Sequence, residues 1–162
     1  MDGIETRLAA LEAEVQHLRD CEAIRQLLAS YGPLADTADS PEGRSAIGAL
    51  FSENGVYDLG DEWQATGPNA IGELLNNPDH LALVANGSAH VMGLPFITVK
   101  GDTATALSYS RVYRHSDGEF SVWRLSANRW ECAREDGQWR VTRRVNRLLD
   151  GNDQAKALLR GE

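Results

Sequence analysis

Cysteine and histidine are scarce in this sequence. The two cysteines, Cys21 and Cys132, lie far apart, and neither belongs to a CxxC pair or has a set of histidines nearby. This usage excludes a disulfide framework and gives no sign of a zinc site, so we expect two core thiols. We expect His17, His80 and His115 on an exposed helix, in a loop and at a strand end, without the spacing of metal ligands, so no metal is predicted.

Basic residues and long apolar runs are also in short supply. The 16 Lys and Arg are outnumbered by 24 Asp and Glu, which gives a formal net charge of −8. Because such a chain repels phosphate backbones and anionic lipids, we expect neither nucleic acid nor a membrane as partner. No apolar run is long enough to span a bilayer, and Asp2 and Glu5 lie where a signal peptide would be basic and then apolar. We therefore expect a cytoplasmic protein.

Repeats, low-complexity tracts and glycine-rich linkers are missing, which favours one domain. Five apolar residues near the amino end alternate at spacings of four and three, as in a heptad seam: Ile4, Leu8, Leu11, Val15 and Leu18. That helix could pack against its own domain or against a helix of another subunit. We predict a helical extension over residues 1–19, a domain over residues 20–150 and a tail over residues 151–162.

The next segments have helical patterns. An apolar phase continues from Cys21 to Tyr31, until Gly32 and Pro33 disturb it, and Asp36 follows near the end. A second helix is indicated by "SPEGRSAIGALF", which offers a serine N-cap and a proline at the first helical position. A third begins at "GPNAIGELL".

Extended segments dominate the second half. "NGVYDLG" and "WQATG" predict a short strand and its hairpin partner. Four longer stretches follow, rich in Val, Thr, Tyr, Trp or Ile, and three breaks typical of hairpin turns separate them: residues 100–102, 117–118 and 136–137. We therefore predict an α+β fold in which a curved antiparallel sheet wraps around a long helix and leaves a cone-shaped pocket.

Strand periodicity gives candidate site residues. In "SAHVMGLPFITV" a period of two places four residues on one largely apolar face: His90, Met92, Leu94 and Phe96. In "WRVTRRVNR" the same period separates a polar face from a second face: Thr142, Arg144 and Asn146 against Val141, Arg143 and Val145. Each signal alone also fits a plainer role, because His90 could bond a backbone carbonyl, Asp36 could cap a helix and Arg144 could face solvent.

Several segments together resemble a known family. They are "AIRQLLASYGPLADTAD", "LFSENGVYDLG", "PNAIGELL", "HVMGLPFITVKGDTATA" and "DGQWRVTRR". The chain resembles SnoaL-like proteins of the nuclear transport factor 2-like superfamily over residues 20–149, and within it the group that includes scytalone dehydratase and hexachlorocyclohexane dehydrochlorinase. The resemblance implies a cystatin-like cone and assembly as a dimer or trimer.

The resemblance also implies roles for residues. In that group an aspartate at the end of the first core helix pairs with a histidine of the strand meander, and the matching positions are Asp36 and His90. Arg144 matches an arginine that assists anion departure. The sequence departs from the dehydrochlorinase at Tyr57, which replaces a pocket tryptophan, and at Tyr31, which replaces a lysine.

The resemblance implies a cofactor-free elimination on a small apolar or aromatic molecule. Asp36 would orient His90, the base, while Arg144 or Tyr31 assists the leaving group. The substrate would contact the residues expected to line the pocket: Tyr31, Tyr57, Met92, Leu94 and Phe96. The alternatives are an isomerase using the same dyad and a binding module without turnover. A minor one is epoxide hydrolysis by the acids around Trp63, which are Asp58, Asp61 and Glu62.

Overall fold

Most of the helices precede the long strands in the chain. The computed structural model describes residues 2–60 and 63–161. The helices are α1 (Asp2–Ala35), α2 (Pro41–Gly48), α3 (Pro68–Glu73), α4 (Pro78–Asn86) and α5 (Asp153–Arg160). The strands are β1 (Phe51–Asp58), β2 (Gln64–Thr66), β3 (Ser88–Met92), β4 (Phe96–Lys100), β5 (Thr103–Ser116), β6 (Glu119–Glu135) and β7 (Gln138–Leu148).

The long helix α1 has two halves with different surroundings. In its second half the buried side chains follow helical spacing and pack into the core: Ile24, Leu28, Tyr31 and Ala35. Pro33 does not end the helix, because in the last turn the amide of Asp36 still donates to the carbonyl of Gly32 at 3.0 Å. In its first half all five heptad residues are exposed, so this half does not pack against its own domain.

The strands form one seven-stranded sheet in the order β2-β1-β7-β6-β5-β3, with β4 also paired to β5. Two-residue turns join β5 to β6 and β6 to β7, and Asp117, Gly118, Asp136 and Gly137 all have the positive φ that such turns require. The predicted α+β fold, with a long helix and a curved sheet, is confirmed. One pair departs from the predicted antiparallel sheet, because β1 joins the last strand, β7, in parallel.

An extra residue in β7 changes which side chains face the helix. Glu131 pairs with Arg143, but the next residue, Cys132, pairs with Val141, so Thr142 is left without a partner. The bulge puts Val141 and Arg144 on the same buried face. Strict alternation had predicted opposite faces for these two residues, and that prediction was wrong.

Two helices were not predicted. Asn77 caps α4 by accepting from the amide of His80, and Asn152 caps α5 by accepting from Ala155. Helix α5 occupies the predicted tail and packs Ala155 and Leu158 onto a second small core with residues of β6 and β7. No helix among the described residues has the length and apolarity needed to cross a membrane.

Candidate active site

A histidine–aspartate pair joins the end of α1 to strand β3. The Nδ1 atom of His90 lies 2.7 Å from Oδ1 of Asp36. Oδ1 also accepts from the Ser88 hydroxyl at 2.6 Å, and Oδ2 accepts from the backbone amide of His90 at 2.8 Å. The carboxylate therefore fixes both the ring and the strand that carries it.

A glycine allows the helix to come this close to the strand. A Cβ atom added at Gly32 would lie 2.1 Å from the backbone oxygen of His90, well inside van der Waals contact. The absence of a side chain at Gly32 thus permits the approach of α1 to β3 that brings Asp36 to His90.

The environment of Asp36 favours its ionised form. Burial raises the pKa of the Asp36 carboxyl, but hydrogen bonds from Ser88 and His90 outweigh burial and hold that pKa below its ordinary value. Because the carboxylate only accepts, Nδ1 of His90 carries a proton, and in the neutral ring Nε2 is then the basic nitrogen. His90 lines a cavity, so this nitrogen belongs to a side chain that a ligand can reach.

A second histidine lies beside the pair. His80 is buried in α4, its ring centroid lies 5.7 Å from that of His90, and its Nε2 donates to the carbonyl of Ala35 at 3.1 Å. The sequence patterns placed His80 in a loop and gave it no role. The signal that was available is Asn77 followed by Pro78, which is typical of a capped helix start.

We expect the ring of His80 to titrate below the ordinary value of 6.5, because burial lowers its pKa and the positive charge of a protonated His90 lowers it further. A depressed folded-state pKa means that the stability contributed by neutral His80 is complete above about pH 6.5 and is lost as the pH falls toward that pKa. Proton NMR titration of the ring would measure it, with His90→Gln expected to move the midpoint upward. A midpoint at or above 6.5 would contradict the burial argument.

An arginine caged by aromatic rings lies on the last strand. The Arg144 guanidinium carbon lies 4.0 Å from the ring centroid of Tyr31, 4.2 Å from that of Trp130 and 4.6 Å from that of Tyr57. Its Nε and Nη2 donate to Oδ1 of Asn128 at 3.1 and 2.9 Å. Burial raises the pKa of the Tyr57 hydroxyl above its ordinary value, so this neighbour is neutral.

The two histidines and the caged arginine line one cavity of about 810 Å³. His80, His90 and Arg144 form part of its wall, and apolar side chains form much of the remaining wall. That volume suits a small organic molecule. No group of three or more His, Cys, Asp or Glu side chains in residues 2–60 and 63–161 is arranged to hold a metal ion.

Comparison with known proteins identifies the family. A model of the SnoaL-like domain matches residues 16–145, which is most of the chain. The chain belongs to the SnoaL-like family. The predicted resemblance is therefore confirmed.

Solved structures agree with this assignment. An NTF2-like protein with a cystatin-like fold from Novosphingobium aromaticivorans is 45% identical, with a TM-score of 0.88 over 94% of this chain and 96% of that chain. A provisionally described aromatic ring hydroxylase from the same organism is 27% identical, with a TM-score of 0.65 over 82% and 90%. A provisionally described scytalone dehydratase, also from N. aromaticivorans, is 20% identical with a TM-score of 0.65 over 82% and 85%, and it shows the fold alone. No protein with a curated description matches the chain.

Most, but not all, of the predicted site residues meet in the SnoaL-like cavity. It is lined by Tyr31, Tyr57, Met92, His90 and Arg144. Asp36 is not part of the lining and contacts His90 from outside it. The structure therefore brings together residues from α1, β1, β3 and β7 that are distant in the sequence.

Leu94 and Phe96 lie outside this cavity. The predicted single strand is broken at Gly93, whose amide donates to the carbonyl of Tyr109 at 2.7 Å, and Pro95 has no amide to continue the pairing. Beyond the break Leu94 is 82% and Phe96 73% exposed. Their assignment to the pocket wall was wrong, because it assumed an unbroken period of two.

Asp58, the member of the predicted acidic cluster that the structure describes, is not a free base. Asp58 bridges Nη2 of Arg143 at 2.8 Å and Nη1 of Arg147 at 2.7 Å, and the hydrogen bond from Arg147 is the main cause of its lowered pKa. Asp61 and Glu62 lie outside the described residues. A carboxylate committed to two arginines is a poor candidate for activating water.

Proposed function

We propose that this SnoaL-like protein is a lyase that eliminates water or a halide from a small, largely apolar molecule without an organic cofactor. The observation that carries the proposal is the 2.7 Å contact between His90 Nδ1 and the Asp36 carboxylate at the wall of a cavity of about 810 Å³. A positioned imidazole with a fixed tautomer is well suited to general base catalysis on carbon.

The proposed step is a proton abstraction coupled to departure of the neighbouring group. Nε2 of His90 takes a proton from carbon, and the C–H electron pair becomes the new C=C bond. The leaving group departs from the adjacent carbon with its own bonding pair, as hydroxide or halide. Asp36 stabilises the imidazolium that forms, and Arg144 or Tyr31, which also line the cavity, assist the departing anion.

The same dyad could return the proton to a different carbon, which would make the protein an isomerase. The two reactions differ in their products, so we would incubate the protein with cyclic β-hydroxy ketones and vicinal halides and analyse the products. Release of water or halide with a new double bond supports the lyase. Rearranged substrate of unchanged composition would favour the isomerase, and binding without turnover would favour a binding module.

We also propose that residues 1–19 pair with the same segment of a second copy. The five heptad residues form an apolar seam that the described parts of the domain leave exposed. In a parallel two-stranded coiled coil, Arg7 would face Glu12 of the second copy, and Glu14 would face Arg19. Both contacts join opposite charges, which favours self-pairing in this orientation.

Leu11→Glu is expected to shift the protein from dimer or larger assembly to monomer at micromolar concentration, because it places a charge in the centre of the seam. Ala13→Glu adds the same charge on the outer face of the helix and should leave the assembly intact. Sedimentation velocity would measure both. A wild-type monomer, or an unchanged assembly in Leu11→Glu, would contradict self-pairing through this helix.

A further inference from the structure

The polar end of the cavity contains two arginines. Arg124 of β6 and Arg144 of β7 both line it. Nη2 of Arg124 donates to Oδ1 of Asn146 at 2.9 Å, and its Nε donates to the Ser126 hydroxyl at 3.1 Å. Neither arginine forms an ion pair with a carboxylate in the described parts of the chain. Two positive charges thus meet only neutral acceptors.

Three other arginines of the same sheet do have carboxylate partners. Arg143 and Arg147 share Asp58, and Arg134 contacts Asp20 at 2.7 Å and Asp102 at 2.9 Å. The acids that line the cavity near its mouth are exposed to solvent: Asp79, Asp150 and Asp153. Of the three arginines that line the cavity, Arg147 has a carboxylate partner, whereas Arg124 and Arg144 have none among the described residues.

Amide side chains connect the two arginines. Asn146 accepts from Arg124 and donates from Nδ2 to Oδ1 of Asn128 at 2.9 Å, and that same oxygen accepts from Arg144. Such a network orients both guanidinium groups without neutralising either one. Burial lowers the pKa of Arg124, and the nearby charge of Arg144 lowers it further, as expected for charges held out of water without a counter-ion.

One donor in this network has no acceptor. Nη1 of Arg144 is buried and makes no hydrogen bond to any residue that the structure describes, and Arg144 as a whole is only 2% exposed. Leaving a buried charged donor unpaired is unfavourable, and in native proteins such groups require an explanation. Because Nε and Nη2 are held by Asn128, Nη1 is the edge of the guanidinium that remains for a ligand.

We infer that the molecule bound in this cavity carries a carboxylate on an apolar body, and that Arg124 and Nη1 of Arg144 bind the carboxylate. The ligand would then provide the negative charge that the described residues do not. The inference rests on the proposed function, because both place the substrate in the same cavity. It adds the charge of the substrate and its orientation there. With the acid group on the arginines, its apolar body extends toward His90, and Tyr31 remains to assist a leaving group.

A pair of probes with the same shape and different charge tests this inference. We would titrate the protein with 2-naphthoate and with 2-naphthamide by isothermal calorimetry at neutral pH. We expect the carboxylate to bind about 10- to 100-fold more tightly, the range given by one charge-assisted hydrogen bond. Equal affinity, tighter binding of the amide, or binding of neither probe would overturn the inference.

Variants then locate the charge that is responsible. Arg124→Gln should remove most of the preference for naphthoate and leave naphthamide binding nearly unchanged. Arg147→Gln is the matched control. Arg147 lines the same cavity, but its positive charge is already neutralised by Asp58. A preference that survives in Arg124→Gln and is lost in Arg147→Gln would contradict the assignment. Both measurements read out binding and not turnover. The carboxylate inference can therefore fail or succeed independently of the turnover lost when Asp36 or His90 is replaced.

Discussion

Replacing His90 with glutamine is expected to lower kcat/KM for an elimination substrate by about 10²- to 10⁴-fold, the usual contribution of a positioned general base. Glutamine can still donate a hydrogen bond toward the Asp36 carboxylate, but it has no nitrogen that can take a proton from carbon. The fold should survive, since His90 is a partly exposed side chain near one edge of the sheet.

The loss should appear in kcat and not in binding. Steady-state kinetics on a confirmed substrate would give the two parameters, and calorimetry would check that the ligand still binds. Full turnover in His90→Gln would end the proposal that His90 is the base. Loss of binding together with turnover would indicate a contact role in place of a catalytic one.

Asp36→Asn tests the second member of the pair. An asparagine that turns its amide group toward Nδ1 favours the ring tautomer with the proton on Nε2, where the base is needed, so turnover should fall although the geometry is nearly kept. Ser88→Ala is the matched control. It removes the other side-chain donor to Oδ1 but leaves the tautomer of His90 unchanged, so we expect a much smaller loss.

Local sequence signals predicted much of the fold. The Asp-Gly pairs at residues 117–118 and 136–137 set the hairpins between β5, β6 and β7, because few residues other than glycine and aspartate accept positive φ. The bulge at Thr142 was not predictable in this way. It depends on the register between β6 and β7, and its effect was to place Val141 on the face opposite to the one expected.

The candidate site was less accessible from local patterns. Asp36 and His90 are 54 residues apart, and only the inferred topology and the family resemblance suggested that they meet. No local sequence pattern distinguished an Arg144 buried among aromatic rings from an Arg144 exposed to solvent. Leu94 was misplaced because a short break at Gly93 ended the strand period, and a break of that kind is decided by pairing with β5.

Gly32→Ala is expected to damage both the stability of the protein and its site. In an ordinary helix position alanine is preferred to glycine by about 1 kcal/mol. Here the new Cβ would lie 2.1 Å from the backbone oxygen of His90, and a backbone atom can yield only if β3 moves. Overpacking of this type lowers the free energy of unfolding by about 1–3 kcal/mol.

The same movement would separate His90 from Asp36, since the two residues lie on the two elements that are pushed apart. A displacement of about 1 Å in a catalytic pair can reduce turnover by roughly 10²-fold.

Urea unfolding would measure the change in stability, and kinetics on the same substrate would measure the change in turnover. Gly3→Ala is the matched control, because Gly3 lies in the same helix and, its neighbours in that helix apart, no described atom lies within 4 Å of the added Cβ. That variant should be at least as stable as the wild type and fully active. If Gly32→Ala behaved like Gly3→Ala, the close approach of α1 to β3 would not be what holds the dyad in place.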